Sequence, residues 1–139
     1  MRSIKFDYLE YNGTKAPIIP VALKSNEGWR YTTAYVDSGA SYSIFKVQEA
    51  ERLGLTIRSG KKSFVVVGDG SYIPIYFFTL PVRIGNVELT ATISFSEKLG
   101  VGFNLLGRKD IFSAFDDKSR LLPLWENFYL FSYRPLSKK

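Results

Sequence analysis

Apolar and β-branched positions alternate with polar ones along most of this chain, and turn residues cut the alternation into short segments. Ile18 to Leu23 reads as a strand, Ser25-Asn26-Glu27-Gly28 as a turn, and Trp29 to Val36 as the returning arm of a hairpin. Ile44 to Leu53 has helical character, and Gly54 follows as a stop. Ser63 to Val67 and Tyr72 to Val82 form a second hairpin across Gly68-Asp69-Gly70-Ser71, since Asp and Gly tolerate the positive φ of tight turns. Pro74 is expected to interrupt the returning arm. A Gly85-Asn86 turn leads to a strand over Glu88 to Phe95. Phe103 to Leu106 reads as a short buried strand, Arg108 to Phe115 as a short helix, and Leu121 to Tyr133 as one or two strands split near Glu126-Asn127. The pattern predicts a mostly-β chain with one or two short helices, no internal repeat and no linker.

Composition narrows the chemistry. A length of 139 residues suits one domain with its own core, spanning 1–139. Aromatic residues are plentiful, with 11 Phe and 9 Tyr available to fill it. No apolar run approaches the roughly 20 residues of a membrane helix, and the N-terminus lacks the apolar stretch of a signal peptide, so the expected location is cytoplasmic. There is no Cys and no His. That removes thiol nucleophiles, Ser-His-Asp triads and zinc sites of the Cys/His kind, and no metal or cofactor is expected. Acid–base work falls to carboxylates, Lys or Tyr. The net charge is +6, but the basic residues are scattered. General solubility accounts for it without nucleic acid.

The residues that concentrate chemistry are Asp37-Ser38-Gly39-Ala40. They follow a β-branched, aromatic run, so a carboxylate arrives at the end of a strand in a tight Gly-containing loop. Two further pieces follow in order: the Gly68-Asp69-Gly70 hairpin, and Asn104-Leu105-Leu106-Gly107-Arg108. Each alone has a plainer reading. Asp37 could be an ordinary turn Asp, Ser38 a capping hydroxyl, the two leucines plain core, and the hairpin an exposed surface arm.

Together, the three pieces resemble the retropepsin-like aspartic proteases, most closely the cellular and prokaryotic single-domain members. The likeness covers about residues 17 to 116, with 121–133 as a C-terminal strand segment. It implies a closed barrel or sandwich with a flap hairpin. It also implies an endopeptidase without a covalent intermediate. Asp37 would be catalytic and would face Asp37 of a second chain. The motif occurs once, and this route needs two carboxylates. One would act as base toward water while the other, protonated, donates to the substrate carbonyl. Ser38 would bond across the dimer axis, Gly39 would let backbone approach closely, and Ala40 would be small where the substrate passes. Gly68, Asp69 and Gly70 would form the flap tip, with Tyr72 a candidate for substrate contact. Leu105, Leu106 and Gly107 would thread beneath the Asp loop, Leu105 also walling a subsite. Ser41 stands where viral members carry an acid that pairs with the residue equivalent to Arg108, which needs another partner here.

The implied partners are a homodimeric copy and an extended peptide lying strand-like under the flap. A fold can outlive its chemistry, so a catalytically silent dimer or binding module of this fold remains the rival. A nucleic-acid-binding β domain is a second rival, and a monomer active only on association a third. In the last of these the Phe128-Tyr129-Leu130-Phe131 segment would cap the core or line the interface.

Overall fold

The computed structural model describes residues 2–37, 39–100, 102–111, 122–123 and 127–133, with 2–5, 122–123 and 127–133 described through the backbone alone. The strands are β1 (Arg2–Asp7), β2 (Leu9–Tyr11), β3 (Thr14–Ala16), β4 (Ile18–Ser25), β5 (Gly28–Val36) and β6 (Ser43–Lys46). Helix α1 (Val47–Arg52) and a 3-10 turn (Ile57–Ser59) follow. Then come β7 (Lys61–Val66), β8 (Tyr72–Ile84), β9 (Val87–Ser96), β10 (Asn104–Leu106), β11 (Leu122–Pro123) and β12 (Asn127–Tyr133). Among the described residues no helix is long and apolar enough to cross a membrane.

The main sheet has the order β4-β5-β10-β6-β9-β8-β7. A further pairing, Ala22↔Arg83 and Leu23↔Val82, joins β4 to the far end of β8 and closes six of the strands into a barrel. Length makes this closure possible. β8 runs 13 residues, pairing with β7 through its first half and with β9 through its second. The β7–β8 hairpin therefore projects from the barrel as an arm. The expected break at Pro74 does not occur: β8 is continuous, with Pro74 opposite Phe64. The Pro74 carbonyl accepts the Ser96 hydroxyl at 3.0 Å, so the missing N–H faces the β9 side. The β9 ladder begins only at Tyr76, so no sheet hydrogen bond is lost.

Inward positions of these strands, joined by Ile111 from the turns after β10, build one core. Ile19, Val21, Leu23, Phe45, Val82, Ile84, Ile93, Phe95, Leu106 and Ile111 pack together in it, all essentially inaccessible. Phe95 meets Phe45 at 6.2 Å and Phe78 edge-on at 5.7 Å between ring centroids. A smaller cluster of Ile44, Ile73 and Ile75 sits under the root of the arm.

Two helical expectations are corrected. Ser43 to Lys46 is strand, in parallel register with Ile93 to Ser96, because Ile44 and Phe45 are buried between neighbouring strands. The helix keeps only Val47–Arg52. Gly54 does end it: its φ is +73°, its N–H donates to Glu51, and Leu55 N–H donates to Ala50. The expected helix from Arg108 also fails over its described part, which forms turns through Ile111. Asp110 has a φ of 62°, a left-handed value that no continuous α-helix passes through. Its remainder, 112–115, lies outside the described residues.

The N-terminal strands were not legible as strands. β1 pairs antiparallel with β12, from Arg2↔Tyr133 to Asp7↔Asn127, so both ends of one chain share a sheet with β11. The split predicted within 121–133 is present between β11 and β12. The β2–β3 hairpin places Tyr11 edge-on to Phe103, which stacks on Tyr35 at 4.8 Å.

Phe95 touches two other rings at the centre of the barrel, so truncation leaves a cavity that the surrounding strands cannot close. Phe95→Ala is expected to cost about 3–5 kcal/mol. Urea unfolding should show a lower midpoint with an unchanged slope.

Candidate active site

Strands β5 and β6 are consecutive, yet they are not neighbours. Between them lies β10, parallel to β5 (Asn104↔Ala34, Leu106↔Val36) and antiparallel to β6 (Leu105↔Ile44). The loop from β5 to β6 must span two strand spacings, roughly 9–10 Å, and so it arches over the end of β10. Asp37 opens this loop. Its N–H continues the β5–β10 ladder by donating to the Leu106 carbonyl at 2.9 Å. Its Oδ1 accepts the Gly39 N–H at 2.9 Å. Ala40 N–H donates back to the Asp37 carbonyl at 3.1 Å.

The chain leaving β10 holds the loop's other end. Arg108 N–H donates to the Ala40 carbonyl and Lys109 N–H to the Ser41 carbonyl, each at 2.9 Å. Gly107, immediately before these contacts, is buried beneath the loop. A Cβ there would overlap the Tyr42 carbonyl and lie 2.8 Å from the Ala40 carbonyl oxygen. Both obstacles are backbone, so the position admits only glycine without a shift. The Gly107 N–H donates to the buried Ser43 hydroxyl at 3.0 Å, and the Ser43 carbonyl accepts the Ser94 hydroxyl at 2.7 Å. Asn104 ties β10 from the other end. Its amide donates to the Thr33 carbonyl and Glu49, and its oxygen accepts the Lys46 N–H.

A cleft of about 860 Å³ opens between this loop and the β7–β8 arm. Asp37, Gly39, Ala40 and Leu105 line it from below; Val65, Val67, Gly68, Asp69, Ser71 and Ile73 line it from the arm. Asp37 is half-buried at its floor. Ser38 lies outside the described residues. Leu106 points into the core rather than the cleft and is fully buried, while strand alternation turns Leu105 to the cleft. Arg108, whose partner the sequence left open, donates to the Ser41 hydroxyl at 3.1 Å.

The tip of the arm is shaped by a local network. Gly70 takes a φ of +85°, and its N–H donates to the Val67 carbonyl at 2.8 Å. The Asp69 carboxylate accepts both the Ser71 hydroxyl at 2.5 Å and the Ser71 N–H at 2.9 Å. These bonds, the hydroxyl's first, hold Asp69 below the usual carboxylate range. Tyr72, the candidate for substrate contact, is 71% exposed and is not part of the cleft lining. Strand alternation turns its neighbour Ile73 inward instead. Tyr42, Ile44, Lys98 and Leu99 also line the cleft and were not singled out from the sequence. Their membership depends on strand register and on the loop after β9, neither of which a local pattern specifies. Among the described residues no group of His, Cys, Asp and Glu is arranged to hold a metal.

No protein-family model matches the chain, and no curated protein does. Among solved structures it is similar to a retropepsin-like aspartic protease from Rickettsia conorii, with a TM-score of 0.66 and 17% sequence identity. The alignment covers 91% of this chain and 98% of that one. The fold is retropepsin-like. At this identity the likeness concerns the backbone, and in that frame the β7–β8 arm stands over the loop that carries Asp37.

Two outcomes follow from the local geometry. Gly107→Ala should destabilise the protein by about 1–3 kcal/mol, because the new methyl meets backbone that can only move as a loop. Gly68→Ala, with nothing within 4 Å and no positive φ, should stay within about 0.5 kcal/mol. Thermal melts of the two variants side by side measure the contrast. Acid should loosen the tip of the arm. A carboxylate with a lowered folded-state pKa contributes stability above its unfolded value and loses it as pH falls through the folded one. The Ser71 amide resonance should therefore shift on acidification from about pH 6 to about pH 2. Asp69→Asn should flatten that titration.

Proposed function

We propose that the protein is an aspartic endopeptidase that works as a homodimer, with residues 1–139 acting as one domain and one Asp37 contributed by each chain. The observation that carries this reading is the arched loop: it presents Asp37 half-buried on the floor of a cleft, beneath a hairpin arm. Hydrogen bonds hold the loop at both ends. A carboxylate held this way on rigid backbone is suited to chemistry that depends on position. One copy cannot perform the reaction. It needs a base to take a proton from water and an acid to protonate the scissile carbonyl oxygen, both at the same place.

Two copies related by a twofold axis satisfy this need, because a self-complementary contact brings the same residue of each chain to the axis. Carboxylates about 3 Å apart cannot both ionise and share one proton. The ionised member takes a proton from the bound water, the resulting hydroxide adds to the carbonyl carbon, and the protonated member donates to the carbonyl oxygen. On collapse of the tetrahedral intermediate, the carboxyl that took the water proton passes it to the departing amine nitrogen, and the other carboxylate takes a hydroxyl proton, so the C–N bond breaks and the shared proton is restored. No covalent enzyme intermediate forms. In this reading Ser38 braces the paired loops, Gly39 and Ala40 leave room for substrate backbone, and Gly107 carries the floor. The arm closes over the peptide with Gly68, Asp69 and Gly70 at its tip, excluding water. An extended peptide suits this space, since the cleft between the loop and the arm offers apolar walls to its side chains.

The test is cleavage of an unfolded protein substrate in the acid range. Asp37→Asn should lower kcat/KM by about a hundredfold or more while leaving the melting temperature close to that of the unaltered protein. Diluting the unaltered protein should lower its specific activity as dimers dissociate. Full activity in Asp37→Asn, or undiminished specific activity in a demonstrated monomer, would refute the shared site.

A further inference from the structure

The cleft walls are mainly apolar, with Ile44, Val65, Ile73 and Leu105 facing the space. Three charged residues line it among the described ones: Asp37, Asp69 and Lys98. Asp69 is engaged by Ser71, and Asp37 accepts a bond from Gly39. Lys98 differs from both. It is exposed, and it takes part in none of the ion pairs formed among the described residues.

Its sequence neighbour is an acid, and the fold keeps the two charges apart. The Glu97 carboxylate pairs with Arg58 at 3.0 Å, and Arg58 is steadied by donating to the Tyr76 hydroxyl at 2.9 Å. Glu97 is absent from the cleft lining, whereas Lys98 belongs to it. The backbone enforces the sorting. The buried Ser96 hydroxyl donates to the Pro74 carbonyl and accepts the Lys98 N–H, each at 3.0 Å. That clamp ties the start of the loop to strand β8 of the arm. The adjacent acid and base therefore serve different surfaces, the acid an ion pair with Arg58 and the base the cleft.

We propose that Lys98 is a specificity residue, selecting extended peptides that carry an Asp or Glu side chain among otherwise apolar ones. The proposal rests on the peptidase reading for the identity of the ligand. The ammonium of a cleft-lining lysine that has no ion-pair partner among the described residues gains a charge-assisted hydrogen bond from an incoming carboxylate. The pair is partly shielded from water once a peptide fills the space, so it is worth more than a fully exposed one. The same cation offsets the repulsion that an acidic substrate would meet from Asp37 and Asp69, and it disfavours Lys or Arg at that position. In a twofold dimer the cation recurs, so the preference applies on both sides of the scissile bond.

The test uses octapeptides on an Ala/Val/Leu frame in which Glu, or Gln as its neutral counterpart, is stepped through each position. Binding to the full-length Asp37→Asn protein is followed by fluorescence anisotropy, and cleavage by the unaltered protein is followed in parallel. At one or two positions the Glu peptide should bind and be cleaved roughly fivefold better than its Gln twin. Lys98→Met should bring that ratio to about one, Lys98→Glu should invert it, and rising salt should reduce it. Equal binding of Glu and Gln peptides at every position, or a Glu preference that survives Lys98→Met, would overturn the proposal, as would no binding of any peptide. Charge-selective binding that depends on Lys98 without any cleavage would sustain this inference and refute the peptidase reading.

Discussion

The site depends on one backbone passage, that of Leu106-Gly107-Arg108 beneath the loop that begins at Asp37. Two strands joined by a loop are held apart by a third, and the loop must arch because something solid lies under it. The segment underneath supplies hydrogen bonds to both ends of the arch, from the Leu106 carbonyl on one side and the Arg108 and Lys109 N–H groups on the other. Steric exclusion sets how close the layers come. With no Cβ at Gly107, backbone packs on backbone, and the buried Ser43 hydroxyl takes up the Gly107 N–H that would otherwise lack an acceptor. Buried polar groups are tolerated only when satisfied in this way.

Rigidity and mobility are divided along the β7–β8 arm. Its root packs Ile73 and Ile75 against Ile44, with Tyr42 meeting Phe77 edge-on at 5.0 Å. Beyond Val67, which still packs on this cluster, the exposed tip is held, among the described residues, by turn hydrogen bonds of Val67, Asp69, Gly70 and Ser71. Segments with few buried contacts open at low free energy, whereas packed ones open only with the whole domain. An arm built this way is free to move at its end and is anchored at its base. The same anchoring reaches the loop after β9, where the Ser96 hydroxyl links Lys98 to Pro74.

Much of this was legible in the chain. The β4–β5, β7–β8 and β8–β9 hairpins follow from alternation and turn residues, because those signals are local. The order of Asp37-Ser38-Gly39, the Gly-Asp-Gly turn and Leu105-Leu106-Gly107 pointed to the retropepsin-like fold that the backbone has. Local reading failed where tertiary pairing overrode propensity. Ser43–Lys46 looks helical beside α1 but is drawn into the sheet by burial of Ile44 and Phe45. Arg108 onward looks helical until Asp110 reverses the chain, its carboxylate accepting the Thr92 N–H at 2.8 Å. β1 was invisible because its partner, β12, lies more than a hundred residues away in sequence.

The sequence by itself determined the types of chemistry on offer: carboxylates without His or Cys, glycines at the points of tight approach, and the periodicity of a β fold. Those depend on each residue and its near neighbours. Only the tertiary structure decided which faces of the strands look into the cleft, that Tyr72 is not part of its lining while Ile73 is, that Arg108 meets Ser41, and that Lys98 lines the cleft while Glu97 pairs with Arg58. Register and barrel closure settle these points. They arise from contacts between segments far apart in the chain, and shifting a strand by one residue would exchange its inner and outer faces without changing a letter of the sequence.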